Sequence, residues 1–187
     1  MIFTETELKG AYVIEPVAAA DERGFFARTF CAKEFAQRGL AAELIQCSTS
    51  FNTRQGTLRG LHYQESPHAE EKLVRVTSGA VFDVIVDLRD TSPTRGRWFG
   101  QVLSAENRRM IYIPKGFAHG FQTLQDNSEV FYQISAFYEP ASARGIVWND
   151  PALAIAWPDA ENAIVSARDL ALPLFAVAMR APGKVPA

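Results

Sequence analysis

The sequence predicts an all-β fold, a sandwich or barrel of short strands with short flanking helices. Two observations carry that expectation. Between Val81 and Leu88 the residues alternate, with Phe82, Val84, Val86 and Leu88 on one face and Asp83 and Asp87 on the other, which is the period of a strand. Further β-type runs at Trp98–Leu103, Arg109–Ile113 and Glu129–Tyr138 are punctuated by turn formers such as Asp90-Thr91-Ser92-Pro93 and Pro114-Lys115-Gly116. Helical signals are brief by comparison. Residues Ala32 to Arg38 read as a short helix closed by Gly39, and Ser166 followed by Asp169 reads as a capping box opening another.

A chain of 187 residues with no repeat or internal linker is expected to form one domain, residues 1–187, with its core between about 3 and 174. The Pro- and Ala-rich end, Ala181 to Ala187, is expected to fray. The composition, 48% hydrophobic and 21% charged, is that of a soluble globular protein. Cys31 and Cys47 form no CxxC pair and no metal spacing, so they read as reduced thiols of a cytoplasmic protein. No signal peptide is recognisable, and no apolar run approaches the ~20 residues that span a bilayer. A net charge of −2 argues against nucleic acid as a partner. Of the 19 basic residues 14 are arginines, the side chain suited to forked recognition of phosphate, although that count is weak evidence by itself.

Chemistry concentrates in two stretches. The first runs Gly56-Thr-Leu-Arg59-Gly-Leu-His62-Tyr-Gln64, then Lys72, then Gly79; the second is Pro114-Lys-Gly116-Phe-Ala-His119. They resemble the two motifs of cupins, which implies a jelly-roll barrel. The departures matter more than the matches. A metal-binding cupin places a second His where Gln64 stands and a Glu where Lys72 stands. An ammonium group repels a cation and cannot ligate it, so no metal is expected. Lys72 reads instead as a fixed positive charge able to stabilise developing enolate charge on a carbonyl oxygen.

Proton abstraction beside a ketone needs a base that titrates near neutrality, a carboxylate to orient it, and an acid on the opposite face if configuration is to invert. His62 is the candidate base. Tyr132 is a candidate acid, since it shares strand parity with the apolar Val130, Ile134 and Ala136. On pattern alone a tyrosine satisfied within the core is the more ordinary reading, and His62 and His119 could equally be structural.

Beyond the cupin motifs, Asp21-Glu-Arg23-Gly-Phe-Phe26, Lys72-Leu-Val-Arg, Phe82-Asp-Val, Asp87-Leu-Arg, Ser92-Pro-Thr, Ile113-Pro-Lys-Gly-Phe-Ala-His119-Gly-Phe and Trp148-Asn-Asp-Pro are similar to the signature stretches of dTDP-4-dehydrorhamnose 3,5-epimerases. The resemblance runs in order from about Phe3 to about Leu174. It implies a cofactor-free epimerase that inverts C3 and C5 of a nucleotide-linked 4-keto-6-deoxy sugar. His62 would be the base, paired with Asp169, and Tyr132 the acid. Lys72 and His119 would hold the enolate oxygen, and Arg59 the diphosphate. Arg23 and Phe26 would reach the nucleotide across a homodimer interface, from the N-terminal segment into the partner's site.

Four substrate-facing positions depart from the family pattern: Arg28 in place of Glu, Ser48 two residues after Gln46 in place of Asn, Ala143 in place of an acidic residue, and Arg168 in place of Lys. Thymidine recognition is therefore open at this level. A C3-only epimerase, an epimerase of a GDP-linked sugar and a non-catalytic sugar-binding cupin stand as alternatives, with a metal-dependent cupin the most remote.

Overall fold

The structure, a computed structural model, describes residues 1–179. The expectation for Ala181 to Ala187 lies outside the described residues. In chain order the strands are β1 (Ile2–Glu5), β2 (Tyr12–Glu15), β3 (Ala18–Asp21), β4 (Gly24–Ala27), then helix α1 (Ala32–Ala36). There follow β5 (Gln46–Asn52), β6 (Thr57–Gln64), β7 (Lys72–Ser78), β8 (Ala80–Asp87), β9 (Trp98–Ser104), β10 (Met110–Ile113), β11 (Phe117–Thr123) and β12 (Ser128–Ile134). The chain closes with β13 (Ala143–Gly145), β14 (Ile164–Val165), α2 (Ala167–Leu170) and α3 (Phe175–Ala178).

Two sheets face each other, as the all-β jelly-roll expectation requires. One has the order β1-β2-β10-β7-β12-β5 and the other β13-β6-β11-β8-β9, with β14 added in parallel to β6. Between them pack Val74, Val76, Ile111 and Val130 from the first sheet against Val81, Ile85, Leu103 and Phe121 from the second. Each sheet also has cover on its outer side. Phe35 of α1 closes over Ile14, Leu73, Met110 and Tyr112, while Trp148, Leu153 and Trp157 close over Leu58, Leu61, Val84 and Val86. Strand β12 ends at Ile134, four residues short of the expected Tyr138.

Cover on both faces explains β8. Its alternation holds, yet the acidic face is as buried as the apolar one, with Asp83 and Asp87 both fully inaccessible. A buried carboxylate needs partners. Asp87 receives Arg89 through both oxygens (2.9 and 2.7 Å) together with the hydroxyls of Ser92 and Thr94. Burial pushes its carboxyl upward, but these hydrogen bonds prevail and hold it below the usual range. The stabilisation is therefore complete above the unfolded carboxylate pKa of about 3.9 and is lost as pH falls through the lower folded value. Thermal melts below about pH 4 are expected to show a steep acid loss that Asp87→Asn makes shallower; an unchanged slope would refute it.

The junction of β6 with β11 shapes the site. His119 pairs with His62 and Phe121 with Arg59, so three steps along β6 face two along β11. This bulge at Gly60 turns Arg59 and His62 to the same side despite their opposite parity. Gly60 has φ +134°, and a Cβ there would lie 2.6 Å from the Gly120 Cα. Strain and overlap each cost roughly 1–3 kcal/mol. Gly60→Ala is thus expected to lower stability by about 2–6 kcal/mol in urea unfolding.

Candidate active site

Strand register sets the walls of a cavity of about 600 Å³ between the sheets. Across β7, β12 and β5, Lys72, Ile134 and Gln46 form one row, and Val74, Tyr132 and Ser48 the next. Opposite them, β6 contributes Arg59, His62 and Gln64, and β11 contributes His119. Arg168 of α2 lines the same cavity.

His62 is half-exposed toward this space, and its Nε2 lies 2.8 Å from Asp169 Oδ1. The other oxygen, Oδ2, accepts the Gly60 N–H at 3.2 Å. Burial acts to raise the Asp169 carboxyl, but the His62 hydrogen bond and charge, the Gly60 N–H and Arg168 outweigh it and bring it below the usual range. An ionised Asp169 requires a hydrogen on His62 Nε2, which leaves Nδ1 with its lone pair as the basic atom. The capping box forms only by half: the Ser166 hydroxyl accepts the Asp169 N–H at 3.1 Å, while the Asp169 side chain turns to His62. Asp169→Asn is expected to lower kcat roughly 10²–10⁴-fold with KM little changed, because an amide no longer selects that tautomer; equal kcat values would refute it.

A second acid–imidazole pair lies deeper. His119 Nε2 is 2.8 Å from Asp83 Oδ2, and both side chains are buried. The His119 ring stands edge-on to Tyr132, with centroids 5.9 Å apart and planes at 75°. Burial pushes the Tyr132 hydroxyl upward and Asp83 adds to this, while Arg59 opposes it. The phenol therefore keeps its proton throughout the neutral range, as a proton donor must.

Lys72 is buried at the cavity wall, and its Nζ lies 2.8 Å from Glu70 Oε1. Arg59 Nε donates to Asn52 Oδ1 at 2.8 Å, and Asn52 is fixed by donating to the carbonyls of Ser50 and Ser128. Gln46 accepts the Tyr138 N–H at 3.0 Å, which sets Tyr138 on the cavity rim.

Of the residues expected at the site, His62, Tyr132, Lys72, His119, Arg59, Gln46, Ser48 and Arg168 line one cavity, with Asp169 behind His62. Arg23, Phe26 and Arg28 do not. Strands β3 and β4 pair only with each other, so their hairpin belongs to neither main sheet, and none of its residues lines the cavity. Arg23 is exposed and paired with Asp21, and Phe26 is 78% exposed. Arg28 turns to Glu34 of α1 at 3.3 Å. Sequence reasoning missed Asp83, Glu70, Asn52 and Tyr138. Glu70 had a signal in its place two residues before Lys72; Asp83 was readable only as the polar face of its strand, and the register of β8 against β11 is what brings it to His119. Among the described residues no cluster of three or more His, Cys, Asp or Glu could hold a metal, and no helix is long and apolar enough to cross a membrane.

Comparison with known proteins gives concordant results. The family model described as dTDP-4-dehydrorhamnose 3,5-epimerase matches residues 5–177. The enzyme of that name from Shigella flexneri is 46% identical over 167 residues, 89% of this chain and 91% of its own. The crystal structure of dTDP-6-deoxy-D-glucose-3,5-epimerase from Legionella pneumophila Philadelphia 1, in complex with dTDP-4-keto-L-rhamnose, superposes with a TM-score of 0.88 at 42% identity, covering 94% of this chain and 93% of that one. That of ChmJ, a 3′-monoepimerase from Streptomyces bikiniensis in complex with dTDP-quinovose, gives 0.88 at 35% identity over 97% and 91%.

Proposed function

The chain belongs to the dTDP-4-dehydrorhamnose 3,5-epimerase family, and from that premise we propose that it inverts C3 and C5 of a dTDP-linked 4-keto-6-deoxy sugar by successive proton transfers. The observation that carries the reading is His62, held by Asp169 and open to the cavity that Lys72, His119 and Tyr132 line.

His62 Nδ1 takes the proton from the carbon beside the ketone, and Asp169 stabilises the imidazolium that forms. Negative charge then gathers on the C4 oxygen. Lys72 supplies donors from a protein-enclosed wall, where such a contact is stronger than in water. With Nε2 committed to Asp83, His119 donates to that oxygen through Nδ1 when both ring nitrogens carry hydrogen. Tyr132 returns a proton from the other face, which inverts the centre. Arg59, already oriented by Asn52, suits the diphosphate through its remaining forked donors. No cofactor takes part in this scheme.

Incubation with the keto-sugar nucleotide in deuterated water tests it. Solvent deuterium at both C3 and C5 of an inverted product is the expected result, and no incorporation from any keto-sugar nucleotide overturns it. Deuterium at C3 alone would favour a second reading, a 3-epimerase, which has the support of the similarity to ChmJ.

The proposal extends to a homodimer in which the β3–β4 hairpin delivers Arg23 and Phe26 to the partner's cavity. Its support is that both are exposed and neither lines the site cavity of its own chain. Sedimentation should return twice the 20.7 kDa chain mass; a monomer with full activity excludes this assembly. A cytoplasmic setting agrees with the two unpaired cysteines, Cys31 and Cys47.

A further inference from the structure

The cavity is lined by three arginines, Arg59, Arg144 and Arg168, and by Lys72, as suits a doubly anionic ligand. Among the described residues lining it stands one carboxylate, Glu70. A negative group there opposes a diphosphate, so its presence calls for a reason. Its geometry supplies one. Oε1 holds the Lys72 ammonium at 2.8 Å, and Oε2 accepts the Gln64 amide N–H at 2.9 Å. Each oxygen thus has one partner, and both the Glu70 and Lys72 side chains are about nine-tenths buried. Gln64 is itself fixed: its nitrogen also reaches the carbonyls of His68 and Phe137, and its oxygen accepts the Glu139 N–H at 2.6 Å.

We infer that Glu70, clamped by Gln64, is a positioning residue for the reaction, holding the Lys72 ammonium in place at the enolate oxygen. A lysine side chain has four rotatable bonds, and a buried ammonium without a partner either swings toward water or gives up its proton. Glu70 takes one of the three N–H donors and leaves two for the cavity. Gln64 fixes the carboxylate's rotation, so the ammonium is oriented before substrate arrives, and little reorganisation is left for the reaction itself. Glu70 offsets part of the positive charge, yet the directed donors remain. The two positions at which this barrel departs from a metal-binding one, Gln64 and Lys72, thereby form one hydrogen-bonded unit through a third residue.

This inference rests on the proposed role of Lys72, and a double-mutant cycle tests it in the full-length protein. Glu70→Gln keeps the shape and removes the charge. It is expected to lower kcat about 10–100-fold, the usual range for a group that orients a primary one, with KM within a few-fold. Lys72→Met is expected to lower kcat about 10²–10³-fold, and adding Glu70→Gln to it should cost nothing further. Glu70→Asp should fall between wild type and Glu70→Gln, which keeps the test decisive if the Gln variant folds poorly. The inference is overturned if Glu70→Gln leaves kcat unchanged, if it moves KM rather than kcat, or if its cost persists undiminished in the Lys72→Met background, since a purely structural role would be additive. Failure of the wild-type protein to exchange any sugar proton would instead refute the reading of the site on which this one depends.

Discussion

Replacement of His62 by Ala is expected to abolish exchange of the sugar protons with solvent at C3 and C5, with kcat down by about 10³-fold or more. The argument is geometric. A base needs a lone pair facing the substrate, and His62 is the imidazole of this cavity that is both open to it and oriented by a buried carboxylate. His119 cannot substitute, since its side chain is only 4% exposed and its Nε2 is engaged by Asp83. The binding groups Arg59, Gln46 and Arg168 are untouched, so KM should change little. Because His62 is half-exposed, its removal opens no core void. It does strip Asp169 of its partner, a cost of roughly 1–3 kcal/mol that an unfolding curve will register. The assay is deuterium incorporation followed by mass spectrometry. Exchange at the wild-type rate in the variant would assign the base elsewhere.

Replacement of Tyr132 by Phe is expected to separate exchange from inversion. His62 can still remove a proton and return one to the same face, so solvent deuterium should appear in substrate of unchanged configuration. Inversion should fall by roughly 10²–10⁴-fold, the usual contribution of a positioned acid. Burial and Asp83 hold the Tyr132 phenol strongly on the protonated side, so it arrives at the reaction with its proton. Phe preserves the ring that packs edge-on against His119, so nucleotide binding and thermal stability should be nearly those of the wild type. Inversion that survived would mean that water or another group delivers the proton.

Legibility in the sequence followed interaction range. Strand identity was local: the alternation from Val81 to Leu88 and the turn residues around it marked β8 and its neighbours before any contact was known. Which face of β8 was buried was not local. The segment carrying Trp148, Leu153 and Trp157 covers the face of Val84 and Val86, while Asp83 shares the other face with Val81 and Ile85, between the sheets, where it meets His119. The Ser166 cap was readable because its bond spans three residues, whereas the competing use of the Asp169 side chain spans 107. Arg59 shows the same limit from the other side. Its parity placed it opposite His62, and only the bulge against β11 at Gly60 reconciled the two.

The sequence by itself determined the fold class, the family, and the residue types a proton-transfer site requires, because strand period, turn chemistry and motif spacing are written along the chain. The tertiary structure decided the pairings: Asp169 with His62, Asp83 with His119, Glu70 with Lys72, Asn52 with Arg59. Two of these join groups 107 and 36 residues apart in sequence, and each depends on strand register and on burial. Register sets which side chains meet, and burial makes an unpartnered charge too costly to keep.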